Sequence, residues 1–121
     1  METQVITKAS GRYLAGVRGK RLIEKDSDVS DLIGVCYEKD AFVVLLYKEN
    51  LPDGFTKLQT GQAGMVINKF ITNKIKLAVV VDEADLDKGK FAEMVTEVNR
   101  YNSLFHVFAD ASLAEEWLLR E

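Results

Sequence analysis

The sequence predicts an α/β fold with a mixed sheet, because two continuous apolar runs and a third run interrupted only by a histidine alternate with segments of helical periodicity. The runs cover residues 41–47, 77–81 and 104–108. Runs of this kind are typical of strands that are covered on both faces. Strands that alternate with helices are usually parallel and joined by right-handed crossovers, so we expect an N-terminal β-hairpin followed by three parallel strands.

The first two strands are predicted from weakly alternating segments, 4–7 and 12–17, on either side of a turn signal at 9–11. A helix is expected from residues 26–28, where an acceptor side chain and negative charge suit the positive end of a helix. The only cysteine lies on its apolar face and is therefore expected in the core. That face comprises Val29, Leu32, Ile33, Cys36 and Tyr37.

The start of the second helix has two interpretations. Either Thr60 caps a helix that runs to Thr72, or the helix begins near Pro52 and runs through the same residues. An early start would put Gln59 in the middle of the buried face, where its side chain would need a hydrogen-bond partner. In both cases the buried face comprises Ala63, Val66, Ile67 and Phe70.

Two further helices surround the third core strand. The first follows the acidic loop 82–89, and its apolar face comprises Phe91, Met94, Val95, Val98 and Tyr101. Ser112 and Glu115 form a capping-box pattern at the start of the last helix. The apolar residues of that helix are Leu113, Ala114, Trp117 and Leu118. The predicted order is β-β-α-β-α-β-α-β-α, in one domain over residues 1–121.

Composition excludes several classes of protein. There are 16 basic and 19 acidic side chains, a net charge of -3, so binding of nucleic acid by bulk charge is not expected. A single cysteine excludes an intrachain disulfide and favours a reducing compartment. The N-terminus lacks the apolar core of a signal peptide, and the apolar runs are too short for a membrane span. We therefore expect a cytoplasmic protein without membrane partners.

Few of the side chains that familiar enzymes use are present. The ends of the core strands carry Lys48, Glu49 and Asn50, then Asp82 and Glu83, then Asp110. The acids among them could hold a divalent cation or could cap the following helices, and capping is the favoured interpretation. The only histidine, His106, lies within a core strand and is expected to be structural. Without a second histidine or a nucleophile motif, no catalytic residue, metal or cofactor is predicted, and the interpretation leans away from an enzyme.

The segment 58–64, Leu-Gln-Thr-Gly-Gln-Ala-Gly, is the most informative part of the chain for function. It opens a helix after a parallel strand, where free amides attract anions, and Thr60 supplies a hydroxyl that could accept a phosphoryl group. Packing is the favoured interpretation of the glycines, since glycines on a helix let a neighbouring element approach closely, and ligand or partner contact is the alternative. The candidates for ligand or partner contact are Gln59, Thr60, Gly61 and Gly64, with Asp82 at the neighbouring strand end.

Two stretches of the chain resemble a bacterial family catalogued as domain of unknown function 4180. Residues 55–81 are similar to its central motif, through Thr60, Gly61, Ala63, Gly64, Lys69 and Phe70. The chain departs from that motif where the family usually has Asp, a basic residue and Glu, and this chain has Lys57, Gln59 and Met65.

The second stretch, residues 91–108, is similar to a later segment of the family, in which an acid and an Asn-Arg pair close a helix before an aromatic strand. The matching residues are Glu97, Asn99 and Arg100. Asn99 and Arg100 therefore join the candidates for ligand or partner contact.

The element order of the family is similar to that of the STAS fold of anti-sigma factor antagonists. The resemblance implies a regulatory or protein-interaction module in which a partner kinase phosphorylates a Ser or Thr at the start of the helix after the second core strand. Thr60 is the nearest equivalent, ahead of Thr56, although the Asp-Ser-Ser-Gly motif of those antagonists is absent. The partner protein is not identified by the sequence. A homodimer formed through an exposed helix or the edge strand is a separate expectation.

An alternative function is a small-ligand binding protein for an anion or nucleotide, or a metal-dependent enzyme. It would use the amides of residues 60–64 together with Asp82, Glu83 or Asp110. A concave pocket that joins these two groups would distinguish the alternative from an interaction module.

Overall fold

The computed structural model describes residues 1–120. Its strands and helices follow one another in the predicted order. These elements are β1 Thr3–Lys8, β2 Gly11–Gly16, α1 Asp26–Lys39, β3 Val43–Tyr47, α2 Gln62–Thr72, β4 Lys76–Val80, α3 Lys90–Tyr101, β5 Phe105–Phe108 and α4 Ala111–Leu118. Short 3₁₀ turns lie at Lys48–Asn50, Leu58–Thr60 and Glu83–Leu86.

The strands form one mixed sheet in the order β1-β2-β3-β4-β5. The N-terminal hairpin pairs β1 with β2 antiparallel, and every other neighbouring pair is parallel. The predicted α/β class, hairpin and parallel units are confirmed. The parallel set is one strand larger than expected, because β2 pairs in parallel with β3 through Leu14 opposite Val44 and Ala15 opposite Leu45.

The helices cover both faces of the sheet unequally. Right-handed crossovers between sequential strands put successive helices on the same face, and α1, α2 and α3 share one apolar core there. Helix α4 follows the last strand and packs alone on the other face, through Ala114, Trp117 and Leu118. The central strands are buried on both sides, which explains their continuous apolar sequences.

Three aromatic or apolar residues assigned to buried helix faces are exposed instead, so these predictions are wrong. Tyr37 lies at the margin of its face, where its ring packs edge-on against Phe42 at a centroid distance of 5.1 Å. Tyr101 ends α3 and is 74% exposed, and Leu113 lies in the first turn of α4 and points to solvent. Cys36 is buried as predicted, and burial raises the pKa of its thiol to about 11.

Helix α2 starts later than either sequence interpretation. A 3₁₀ turn ends at Thr60, and Gly61 follows with φ +77°, a left-handed conformation that glycine adopts without strain. The helix then begins at Gln62. The start near Pro52 is therefore wrong, and Gln59 is exposed rather than buried.

The capping box expected at the start of α4 is also wrong. Asp110 is the N-cap residue, and its carboxylate accepts hydrogen bonds from the amides of Ser112 at 2.7 Å and Leu113 at 3.3 Å. Glu115 is instead bound by the Tyr13 hydroxyl of β2. Burial, with a smaller effect of this carboxylate, raises the pKa of Tyr13 above its ordinary range.

Asn50 is the one buried polar residue among those that the structure describes. Its side-chain oxygen accepts from the Tyr47 amide at 2.7 Å, and its side-chain nitrogen donates to the carbonyls of Val17 at 2.8 Å and Lys20 at 2.7 Å. Its backbone carbonyl accepts from the amides of Leu22 and Ile23. One residue therefore ties the loop after β2 to the turn after β3.

Within residues 1–120, the helices are all too short or too polar to cross a lipid bilayer.

We predict that Asn50→Ala lowers the free energy of unfolding by about 3 kcal/mol, because three backbone groups lose their buried partner. Urea denaturation measures the change. The matched control is Asn73→Ala, which removes one side-chain bond to the Lys69 carbonyl at the end of α2. Equal destabilisation by the two variants would contradict the role given to Asn50.

Candidate functional site

The carboxyl ends of β2, β3 and β4 carry a cleft of about 330 Å³. Its walls come from the loops that follow these three strands, which is where parallel α/β sheets commonly bind ligands. Arg21, Lys48, Thr56 and Asp82 contribute polar groups to it. Leu51, Pro52 and Phe55 form its apolar floor.

The charged side chains that line the cleft all form ion pairs, some with each other and some with neighbouring residues. Lys48 donates to Asp85 at 2.8 Å and to Asp82 at 3.2 Å. The hydrogen bond that Lys48 donates to Asp85, with smaller contributions from Asp82, raises the pKa of Lys48 above its usual value. Arg21 binds Asp53 on the opposite side and lowers the pKa of that carboxyl group. A ligand entering the cleft would therefore exchange these ion pairs for its own.

The acids at the strand ends do not gather into a metal site. Asp82 pairs with Lys48, and Asp110 caps α4, which confirms the capping interpretation for Asp110. Among residues 1–120, no three His, Cys, Asp or Glu side chains lie close enough together to hold a metal ion.

The segment 58–64 lies at the start of α2, at the same end of the sheet as the cleft. Gln59, Thr60, Gly61 and Gly64 are all exposed there. A Cβ atom added to Gly61 or Gly64 would meet no other group within 4 Å. The packing interpretation of these glycines is therefore wrong, because no neighbouring element approaches them.

Thr60 holds the turn before α2 together. Its hydroxyl lies 2.8 Å from the carbonyl oxygens of both Gly54 and Lys57, to which it can donate, and it accepts from the Gln62 amide at 3.2 Å. The side chain packs so closely over Gly54 that a Cβ atom at that position would lie 2.8 Å from the hydroxyl. The hydroxyl at the predicted phosphorylation position is thus engaged in the turn.

The structure does not bring Asn99 and Arg100 to this site. Both lie in the last turn of α3, which runs away from the carboxyl end of the sheet. The Asn99 side-chain amide binds the backbone of β5: it donates to the Val107 carbonyl and accepts from the Val107 amide, each at 2.9 Å. Arg100 is exposed beside the Tyr101 ring, 5.8 Å from its centroid.

His106 belongs to an aromatic cluster against α4. Its ring stacks on Trp117 at a centroid distance of 4.1 Å, and Nε2 donates to the Asn102 carbonyl at 2.7 Å. The Lys76 ammonium lies over the Trp117 ring, 4.5 Å from its centroid, and donates to the Trp117 carbonyl. These contacts support the structural role expected for His106.

Two components of the site are not among the candidate residues predicted from the sequence. Arg21 lies in an irregular loop with no motif or periodicity, so only its position after a strand could have indicated it. The sequence places Lys48 at the end of an apolar strand but does not indicate its role, because its ion pairs with Asp82 and Asp85 join residues that are 34 and 37 positions apart in the chain.

The chain matches the family described as "Domain of unknown function (DUF4180)" over residues 9–118. This match spans most of the chain, so the chain belongs to that family, as the resemblance of residues 55–81 and 91–108 indicated. Neither the curated proteins nor the solved structures contain a significant match to it.

We predict that His106 lowers the free energy of unfolding at acidic pH. Burial is the main cause that lowers the pKa of His106 below its ordinary value of 6.5, with smaller effects of Lys76 and Arg120. The unfolded chain therefore binds the proton more readily than the folded chain, and stability is lost as the pH falls below 6.5.

Urea denaturation at about pH 7.5 and about pH 5.5 tests this effect on either side of the ordinary histidine pKa. The wild-type chain should lose more stability between the two values than His106→Gln does. Parallel losses in the two proteins would show that His106 does not contribute.

Proposed function

We propose that this protein is a non-enzymatic regulatory or protein-interaction module that contacts a partner protein through the helix start 58–64. The observation that carries the proposal is Gly64, an exposed glycine in the first turn of α2 with open space around it. A glycine inside a helix costs about 0.5–1 kcal/mol relative to alanine. Its backbone conformation does not require glycine, and no neighbour within the chain does either.

The chemistry of this helix start favours a partner with a negative or hydrogen-bond-accepting group. The Thr60 hydroxyl accepts from the Gln62 amide, but the N-cap residue Gly61 has no side chain to accept from the amides that follow, and the first turn contains no acid. The amides after Gln62 and the positive end of the helix dipole are therefore available to an external acceptor. A glycine at position 64 would let such a partner approach the backbone closely.

Thr60 is the proposed phosphorylation site of the module. A phosphoryl group would remove the hydroxyl proton that binds the Gly54 or Lys57 carbonyl and would add a charge of about -1.5 to -2 beside the helix amides. Modification would then both loosen the turn 54–60 and occupy the surface that the partner needs. A bacterial, cytoplasmic setting is part of the same proposal, consistent with the single free thiol of Cys36.

Quantitative co-purification from the source cells tests the contact surface. Gly64→Arg should reduce the recovery of the specific partner by about tenfold or more, because a long side chain at an interface centre excludes close contact. Gly34→Arg is the matched control, since Gly34 is an exposed helical glycine in α1 with equally open surroundings.

The control should retain the partner, and both variants should show wild-type stability or better. A partner set that is the same for the wild type and both variants would contradict the proposal. The absence of phosphate on Thr60 in protein isolated from cells would contradict its phosphorylation separately.

A small-anion binding function is the second candidate, and the cleft beside Arg21 and Lys48 favours it. Its lining includes Thr56 and Asp82 but not residues 60–64, so it does not join the two groups that the sequence-based alternative combined. A thermal-shift series with phosphate and nucleotides tests it. Stabilisation that is lost in Lys48→Gln but kept in Lys88→Gln, an exposed control, would support this function, and no stabilisation by any of these anions would contradict it.

A further inference from the structure

The two side edges of the sheet are protected very differently. On β5, the Asn99 side chain occupies both backbone groups of Val107, and the Asn102 side-chain oxygen accepts from the amides of Leu104 at 2.8 Å and Phe105 at 3.0 Å. These side chains take the places that a further strand would use. The β5 edge is therefore closed to strand addition.

The β1 edge has no such protection. Strand β1 pairs with β2 on one side only, and within residues 1–120 no other strand pairs with it. It contains no proline, and its one charged residue, Lys8, lies at its end. Val5, in the middle of the strand, is 39% exposed. Unpaired edges of this length are usually blunted by charges, proline or a bulge.

We propose that a second copy of this chain covers this edge, with the two β1 strands paired antiparallel. Setting Val5 opposite Val5 of the partner subunit places Thr3 opposite Thr7 of the partner subunit. The same register places Glu2 opposite Lys8 of the partner subunit, twice by symmetry. Opposite charges and β-branched pairs directly across a strand pair are favourable, so the sequence of β1 is complementary to itself.

This pairing produces a closed dimer and not a longer assembly. A two-fold interface uses the same surface on both copies, so the dimer leaves neither β1 edge free to pair with a third copy. The outer edges of the joined sheets are the two β5 strands, which Asn99 and Asn102 close. The interface is separate from the helix start 58–64 and does not depend on the partner proposed there.

Cysteine crosslinking tests the register directly. Residues directly opposite in an antiparallel pair have Cα atoms about 4.5–5.5 Å apart, within the range of about 4.4–6.8 Å that a disulfide spans. Val5→Cys should therefore form a covalent dimer under mild oxidation. The native Cys36 is fully buried and should not react. Thr3→Cys and Thr7→Cys should crosslink efficiently only when the two variants are mixed.

Charge reversal provides a second test by sedimentation of the unmodified and variant chains. The wild type should sediment as a dimer of the 13.6 kDa chain. Glu2→Lys or Lys8→Glu alone should weaken the dimer by about tenfold, because each places like charges opposite one another at two symmetric positions. The double variant should recover most of the affinity, since it exchanges the charges within the same pairs.

A wild-type chain that sediments as a monomer throughout the accessible concentration range would overturn the proposal. A dimer that persists unchanged in Val5→Lys, with no crosslink in Val5→Cys, would overturn it as well and would show that another surface associates. Circular dichroism of each variant confirms that it is folded before the result is counted.

Discussion

The carboxyl end of the sheet depends on one buried asparagine. Asn50 satisfies five backbone groups, three through its side chain and two through its own carbonyl. The site is so closely packed that a Cβ atom on Gly16 would lie 2.3 Å from the Asn50 side-chain oxygen. Because a buried polar group without a partner is costly, this arrangement fixes the two loops that carry Arg21 and Lys48. The shape of the cleft follows from it.

Asparagine performs the same physical task elsewhere in the fold. Asn99 and Asn102 satisfy the outer backbone groups of β5, where the sheet has no further strand. An amide side chain can replace a missing strand because it both donates and accepts. Within residues 1–120, neither the start of α2 at Gly61 nor the outer edge of β1 has such an asparagine. The proposed contacts of this protein lie at these two surfaces.

The order of elements could be predicted from the sequence because strands buried on both faces and amphipathic helices leave strong periodic signals. The helix starts could not, since they depend on local competition. Asp110, two residues before Ser112, is the N-cap of α4 in place of the predicted Ser112. The left-handed conformation of Gly61 makes α2 begin at Gln62. The roles of Asn50 and Asn99 join residues brought together only by the fold. Arg21 carries no periodic signal at all.

Amide hydrogen exchange tests the central role of Asn50 most directly. The amides of Tyr47, Leu22 and Ile23 all donate to this residue. If Asn50 holds the two loops as one unit, these three amides should exchange as slowly as those of the buried strand β4, through global unfolding. Fast exchange at Leu22 and Ile23 while β4 stays protected would show that the loops open independently and would contradict the account.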